Sequence, residues 1–147
     1  MSLKEQLLED LKIAMKDKDV LRKNAIQMVR AAILQAEKDG RITLDEDGVI
    51  DIIAKEVKKR RDVLPEYEKS GRQDLIDSLK TEIEALIKYL PQQLTEEELE
   101  AVVRETVKET GASSAKDMGM VMKAVMPKVR GKADGRTVNM IVKKILG

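Results

Sequence analysis

The chain has 147 residues, 37% of them charged, with 28 Lys/Arg against 27 Asp/Glu and a net charge of +1. That length holds one domain or two small ones, and balanced charge beside 42% hydrophobic residues describes a soluble folded protein, not a disordered one. The absence of Cys and His excludes disulfides, thiolate and imidazole metal sites and the commonest general base. Tyr67 and Tyr89 are the only aromatics, so the core must be built from Leu, Ile, Val, Ala and Met. No apolar run approaches the length of a membrane span. The start, MSLKEQLLED, alternates charge with Leu and lacks the apolar core of a signal peptide. A cytoplasmic protein is expected.

Helical periodicity dominates from the first residues. Leu3, Leu7, Leu11 and Ala14 mark one face of a helix that ends near Asp17. Asp19 caps a second, with Ala25, Ile26, Val29, Ala32 and Ile33 inward, and Gly40 closes it. Thr43-Leu44-Asp45-Glu46 reads as a capping box. It opens a third helix with Ile50, Ile53, Ala54, Val57 and Leu64 inward, which Pro65 should kink or restart and Ser70-Gly71 should stop. Ser70 and Gln73 stand at capping-box spacing before a fourth helix, whose stripe is Leu75, Leu79, Ile83, Leu86 and Ile87 and which Leu90-Pro91 ends.

Pro91 to Leu94 is the best domain boundary. Thr95-Glu96-Glu97-Glu98 then starts a fifth helix, with acids where the helix dipole favours them, and Gly111 ends it. Ser114 to Asp117 caps a sixth and Asp134 a seventh. The expected fold is all-α: an N-terminal four-helix domain, residues 1–90, followed by a small three-helix tail domain, residues 91–147.

Few residues have the pattern that catalysis needs. Ser113, Ser114 and Lys116 invite comparison with a Ser–Lys nucleophile, but the serines follow a glycine at a helix start with Asp117 at capping distance, and capping accounts for them. Asp45, Glu46, Asp47 and Asp51 lack EF-hand spacing and suit a helix N-terminus. No metal and no cofactor is expected. Lys58-Lys59-Arg60-Arg61 fan around a helix at about 100° per residue, flanked by Glu56 and Asp62, and read as a solvated face, with an accessory nucleic-acid contact as the alternative. Met118, Met122, Val125 and Met126 share one helical face and read as core, with Met120 off that stripe and exposed.

The tail holds the strongest signal. From Gly111 to Gly147 there are eight Lys/Arg and two acids, Asp117 and Asp134, a local asymmetry that suits a polyanionic partner. The loop from Pro127 to Arg136 concentrates it. Lys128, Arg130, Lys132 and Arg136 are the candidate phosphate ligands, Gly131 lets backbone approach a partner, and Lys143 and Lys144 extend the patch. Asp134, as a cap, occupies amides of the last helix and repels an anion there. The lack of aromatics argues against stacking on unpaired bases and leaves structured RNA, read by shape and phosphate.

These residues carry a resemblance. Gly119-Met120-Val121-Met122-Lys123-Ala124, Gly131-Lys132-Ala133-Asp134 and Val138-Asn139 resemble the tail of the GatB/YqeY family, over Leu94 to Leu146. That tail ends the B subunit of the tRNA-dependent glutamine amidotransferase, and some glutaminyl-tRNA synthetases carry a related segment. Ile26-Gln27-Met28-Val29-Arg30 and Tyr89-Leu90-Pro91-Gln92-Gln93-Leu94 extend the likeness to the free-standing YqeY-like members over the whole chain. The resemblance implies an all-helical two-domain protein and a tail that holds tRNA. It brings no catalysis: in the amidotransferase, glutamine hydrolysis uses a Ser–Ser–Lys centre on another subunit, and transamidation uses a domain that this chain lacks. Gly135 stands where amidotransferase tails often have Pro, which loosens the start of the last helix.

The leading expectation is therefore a non-catalytic tRNA-binding protein, or one associated with an amidotransferase or an aminoacyl-tRNA synthetase. The alternatives are a component of carbon–nitrogen ligation, with glutamine as amido donor, acting in a complex, and a helical protein–protein adaptor using the Met-rich face.

Overall fold

A computed structural model describes residues 1–147. The chain is all-helical. Its helices are α1 (Leu3–Lys16), α2 (Val20–Gly40), α3 (Glu46–Ser70), α4 (Gln73–Ile87), α5 (Glu96–Thr110), α6 (Met118–Val129) and α7 (Gly135–Leu146), with one 3₁₀ turn at Ala115–Asp117. The contacts gather into two compact units, Met1–Leu90 and Pro91–Gly147.

In the first unit α1, α2, α3 and α4 close over Leu7, Leu11, Ile26, Val29, Val49, Ile53 and Leu86. Each such side chain contributes about 1.5–3 kcal/mol when fully removed from water. Polar ties fix the ends. The Glu46 carboxylate accepts from the Leu3 amide at the start of α1. Glu37 takes the Lys4 ammonium and the Leu44 amide, and these two partners hold its carboxyl below the usual range. The Tyr89 hydroxyl donates to Asp10, and burial together with that carboxylate pushes the phenol well above its ordinary pKa.

Several local expectations change here. The cap of α3 is Asp45, which accepts from the Gly48 amide at 2.8 Å, so the capping box placed at Thr43 is displaced by two residues. Pro65 lies inside α3, which continues to Ser70 without restarting. Ser70 does not cap α4; its hydroxyl donates back to the Tyr67 carbonyl, and Arg72 stands at the cap without a side-chain bond. Gly40 is the last residue of α2, and Arg41 takes the left-handed turn at φ 51°. Ile76, not Leu75, is buried on α4. The basic run on α3 is not wholly solvated: Arg60 is buried, with Glu56 and Glu82 as its ion partners.

The second unit packs α5, α6 and α7 around Leu99, Val103, Val121, Val125, Val129, Val138 and Val142. Thr95 and Glu98 form a capping box at the expected start of α5, and Gly111 ends that helix at φ 70°. Along α6 the fully buried stripe is Val121, Val125 and Val129. Met118, Met122 and Met126 pack partly buried against it, while Met120 is 46% exposed. The Met stripe is therefore the border of the core, and valine is its centre.

Candidate nucleic-acid interface

The basic tail is built on two helices and a short loop. Pro127, Lys128 and Val129 belong to the last turn of α6, so the loop is only residues 130–134. Burial of Val129 explains the extra turn: a side chain with no solvent exposure holds the helix past a residue that locally disfavours it.

Gly131 turns the loop at φ 72° and is buried. Its carbonyl accepts from the Gln93 side-chain amide at 2.6 Å, and the same amide donates to the Pro91 carbonyl at 2.9 Å. The Leu94 amide donates to the Lys132 carbonyl at 3.0 Å, and the Lys132 amide donates to Val129 at 2.8 Å. The glycine expected to admit a partner is thus used to admit Gln93, and the loop is pinned by the segment that precedes α5. Replacing Gln93 by Ala is expected to destabilise the second unit by about 1–3 kcal/mol, since the Gly131 carbonyl loses its side-chain donor. Thermal unfolding of the full chain checks this.

The cations divide into two groups. Lys128 turns back to α5, where its ammonium meets the Glu109 carboxylate at 2.7 Å and the Thr106 hydroxyl at 3.1 Å. The ammonium expected as a phosphate ligand is thus engaged in an intramolecular ion pair. Arg130, exposed in the loop, also has an intramolecular interaction. Lys132, Arg136, Lys143 and Lys144 form no salt bridge. Lys132 is half-buried and the other three are exposed.

α7 gathers three of these four. Val138, Ile141 and Val142 face the core, so the opposite face is outward. At about 100° per residue, Arg136, Met140, Lys143 and Lys144 fall within an arc of roughly 100°. Met140 is 65% exposed at its centre, and no acid lies on this helix. Glu100, on α5, is a counter-charge to Lys144. Its carboxyl is held below the usual range mainly by Arg104, with a smaller contribution from Lys144.

The N-terminus of α7 is closed to anions. Asp134 accepts from the Arg136 amide at 2.7 Å and the Thr137 amide at 3.0 Å, and the Thr137 hydroxyl donates to its second oxygen at 3.1 Å. This cap also fixes the start of α7 at Gly135, where a looser start was expected. Asp117 accepts from the Ser113 amide at 2.9 Å and the Ser114 amide at 3.4 Å, which ties that serine pair to the helix start.

Comparison with known proteins gives one family and one group of relatives. The family described as Yqey-like protein matches residues 4–146. The protein called "Altered inheritance of mitochondria protein 41, mitochondrial" is similar in several organisms. The Candida glabrata form is 39% identical over 88 residues, covering 58% of this chain and 48% of the relative. The Lachancea thermotolerans form is 37% identical over 100 residues, covering 66% and 54%. The chain spans about half the length of these curated relatives. No helix of the chain is long and apolar enough to cross a membrane. With a match over nearly all of its residues, the chain belongs to the Yqey-like protein family.

Proposed function

We propose that the protein is a non-catalytic binder of folded tRNA, acting alone or beside a tRNA-dependent amidotransferase, and that the outward face of α7 with Lys132 is its phosphate-contacting surface. One observation carries the reading: Arg136, Lys143 and Lys144 share an exposed helix face with no acid on that helix. In a chain of net charge +1, such a one-signed face suits a polyanionic partner. The tail contains no aromatic residue, so contacts to phosphate and to A-form shape are the available mode, not base stacking.

Two single substitutions test it. Lys132→Ala should lower the log–log salt slope of tRNA binding by about one and weaken all tRNAs alike, because a phosphate contact carries no sequence information. Lys128→Ala should leave the slope unchanged, because its ammonium already pairs with Glu109. Equal behaviour of the two variants, with slopes like that of the parent, would remove the RNA reading of this surface.

A further inference from the structure

Helix interiors select against asparagine, whose side-chain amide competes with the backbone for hydrogen bonds. Asn139 nevertheless stands inside α7, past the cap where asparagine would help and before the last turn. Asp134 already holds the first amides of that helix. Asn139 is exposed, and its side chain makes no hydrogen bond within the chain. Neither capping nor core packing accounts for it, and alanine at this position would favour the helix more. A residue that breaks a local rule without structural gain is where function is expected.

Its neighbours indicate what it meets. Arg136 stands three residues before it and Lys143 four after, so the three side chains are adjacent on the outward face. The helix rises about 10 Å from Arg136 to Lys143. Two long cations thus flank a short neutral amide. The long side chains reach phosphates on either side, whereas the short one touches only what lies directly under the helix. In A-form RNA the wide, shallow minor groove displays 2′-hydroxyls between the phosphate rows. A 2′-hydroxyl both donates and accepts, as the Asn amide does, while Lys and Arg only donate.

Resting on the phosphate-contacting reading of α7 given above, we propose that Asn139 is the residue by which this face distinguishes RNA from DNA. Its amide takes a hydrogen bond with a ribose 2′-hydroxyl while Arg136 and Lys143 meet phosphates on either side. The element recognised is then a duplex arm of A-form RNA, met from its minor groove. Deoxyribose lacks the hydroxyl, so DNA leaves the amide covered and without a partner, which costs binding.

Fluorescence anisotropy of the full chain with three labelled probes tests this. The probes are folded tRNA, an RNA hairpin, and the same hairpin with 2′-O-methyl riboses, which keep the phosphates and the A-form but no longer donate. The parent should bind the plain hairpin about fivefold more tightly than the methylated one, the worth of one hydrogen bond. Asn139→Ala should bind the two hairpins alike, about fivefold more weakly than the parent binds the plain one. Its salt slope should equal the parent's, since losing a neutral group releases no counterion. Its circular dichroism should be unchanged, because the position is exposed. An Asn139→Ala variant that keeps the parent's preference for the plain hairpin overturns the proposal and leaves the phosphate contacts standing. So does a parent that binds tRNA with the expected slope but shows no such preference, or does not bind the hairpin. A parent that binds none of the three probes removes the RNA reading itself, and this inference with it.

Discussion

Replacing Arg136, Lys143 and Lys144 together by Ala is expected to weaken binding to folded tRNA by about two orders of magnitude at roughly 0.15 M salt. Each neutralised phosphate releases close to one counterion, so one contact is worth about fivefold at that salt and three multiply. The log–log salt slope should fall from about −4 to about −1, leaving the contribution of Lys132. The fold should survive. All three side chains are exposed and make no salt bridge, and losing Lys143 and Lys144 from the last turn of α7 removes only about 0.3–1 kcal/mol each of dipole complementarity. Fluorescence anisotropy with labelled tRNA measures the affinity, and circular dichroism checks the fold. An unchanged affinity in a folded triple variant would show that α7 does not face RNA.

The largest expected effect on stability lies in the first unit, at Arg60. Its guanidinium donates to the Glu56 carbonyl at 3.0 Å and to the Met28 sulfur at 3.4 Å, and stands 3.5 Å and 3.7 Å from the Glu56 and Glu82 carboxylates. Glu56 is itself buried. Arg60→Ala should therefore cost about 3–5 kcal/mol, because it leaves a buried carboxylate without its buried cation. The exposed Lys59, 3.1 Å from Glu56, relieves a little of this. Replacing both residues, Glu56→Leu with Arg60→Met, should cost less than Arg60→Ala alone, since the charge leaves with its partner. Urea unfolding reports both variants. If Arg60→Ala stays within about 1 kcal/mol of the parent, the cluster has only the worth of a surface ion pair. The buried Arg60 Nε has no hydrogen-bond partner, a desolvation cost that offsets part of the cluster's attraction.

What was legible in the sequence is what is decided locally. Thr95 with Glu98, and Asp134 at α7, act across three residues, and the chain order alone specifies them. The apolar stripes of α1, α2 and α5 follow the helical repeat directly. Misreadings came where a distant partner decides. Arg60 looked like one charge in a solvated run, and only α2 and α4 closing over it give it Met28 and Glu82. Lys128 looked like part of a loop, but Glu109 is 19 residues away in sequence, and the buried Val129 carries the helix beyond Pro127. Gln93 carried no signal beyond its place in the Tyr-Leu-Pro-Gln-Gln-Leu string. Its role in holding Gly131 exists only once the segment before α5 meets the loop after α6. The cap of α3, placed by spacing at Thr43, is set by the fold at Asp45.

The central claim is that the tail contacts the phosphates of folded tRNA. Its most direct test is a titration of the full chain against folded tRNA over a salt series, read as the slope of log affinity against log salt. About four contacts predict a slope on the order of −3 to −4. A slope near zero, or no binding even at low salt, would contradict it.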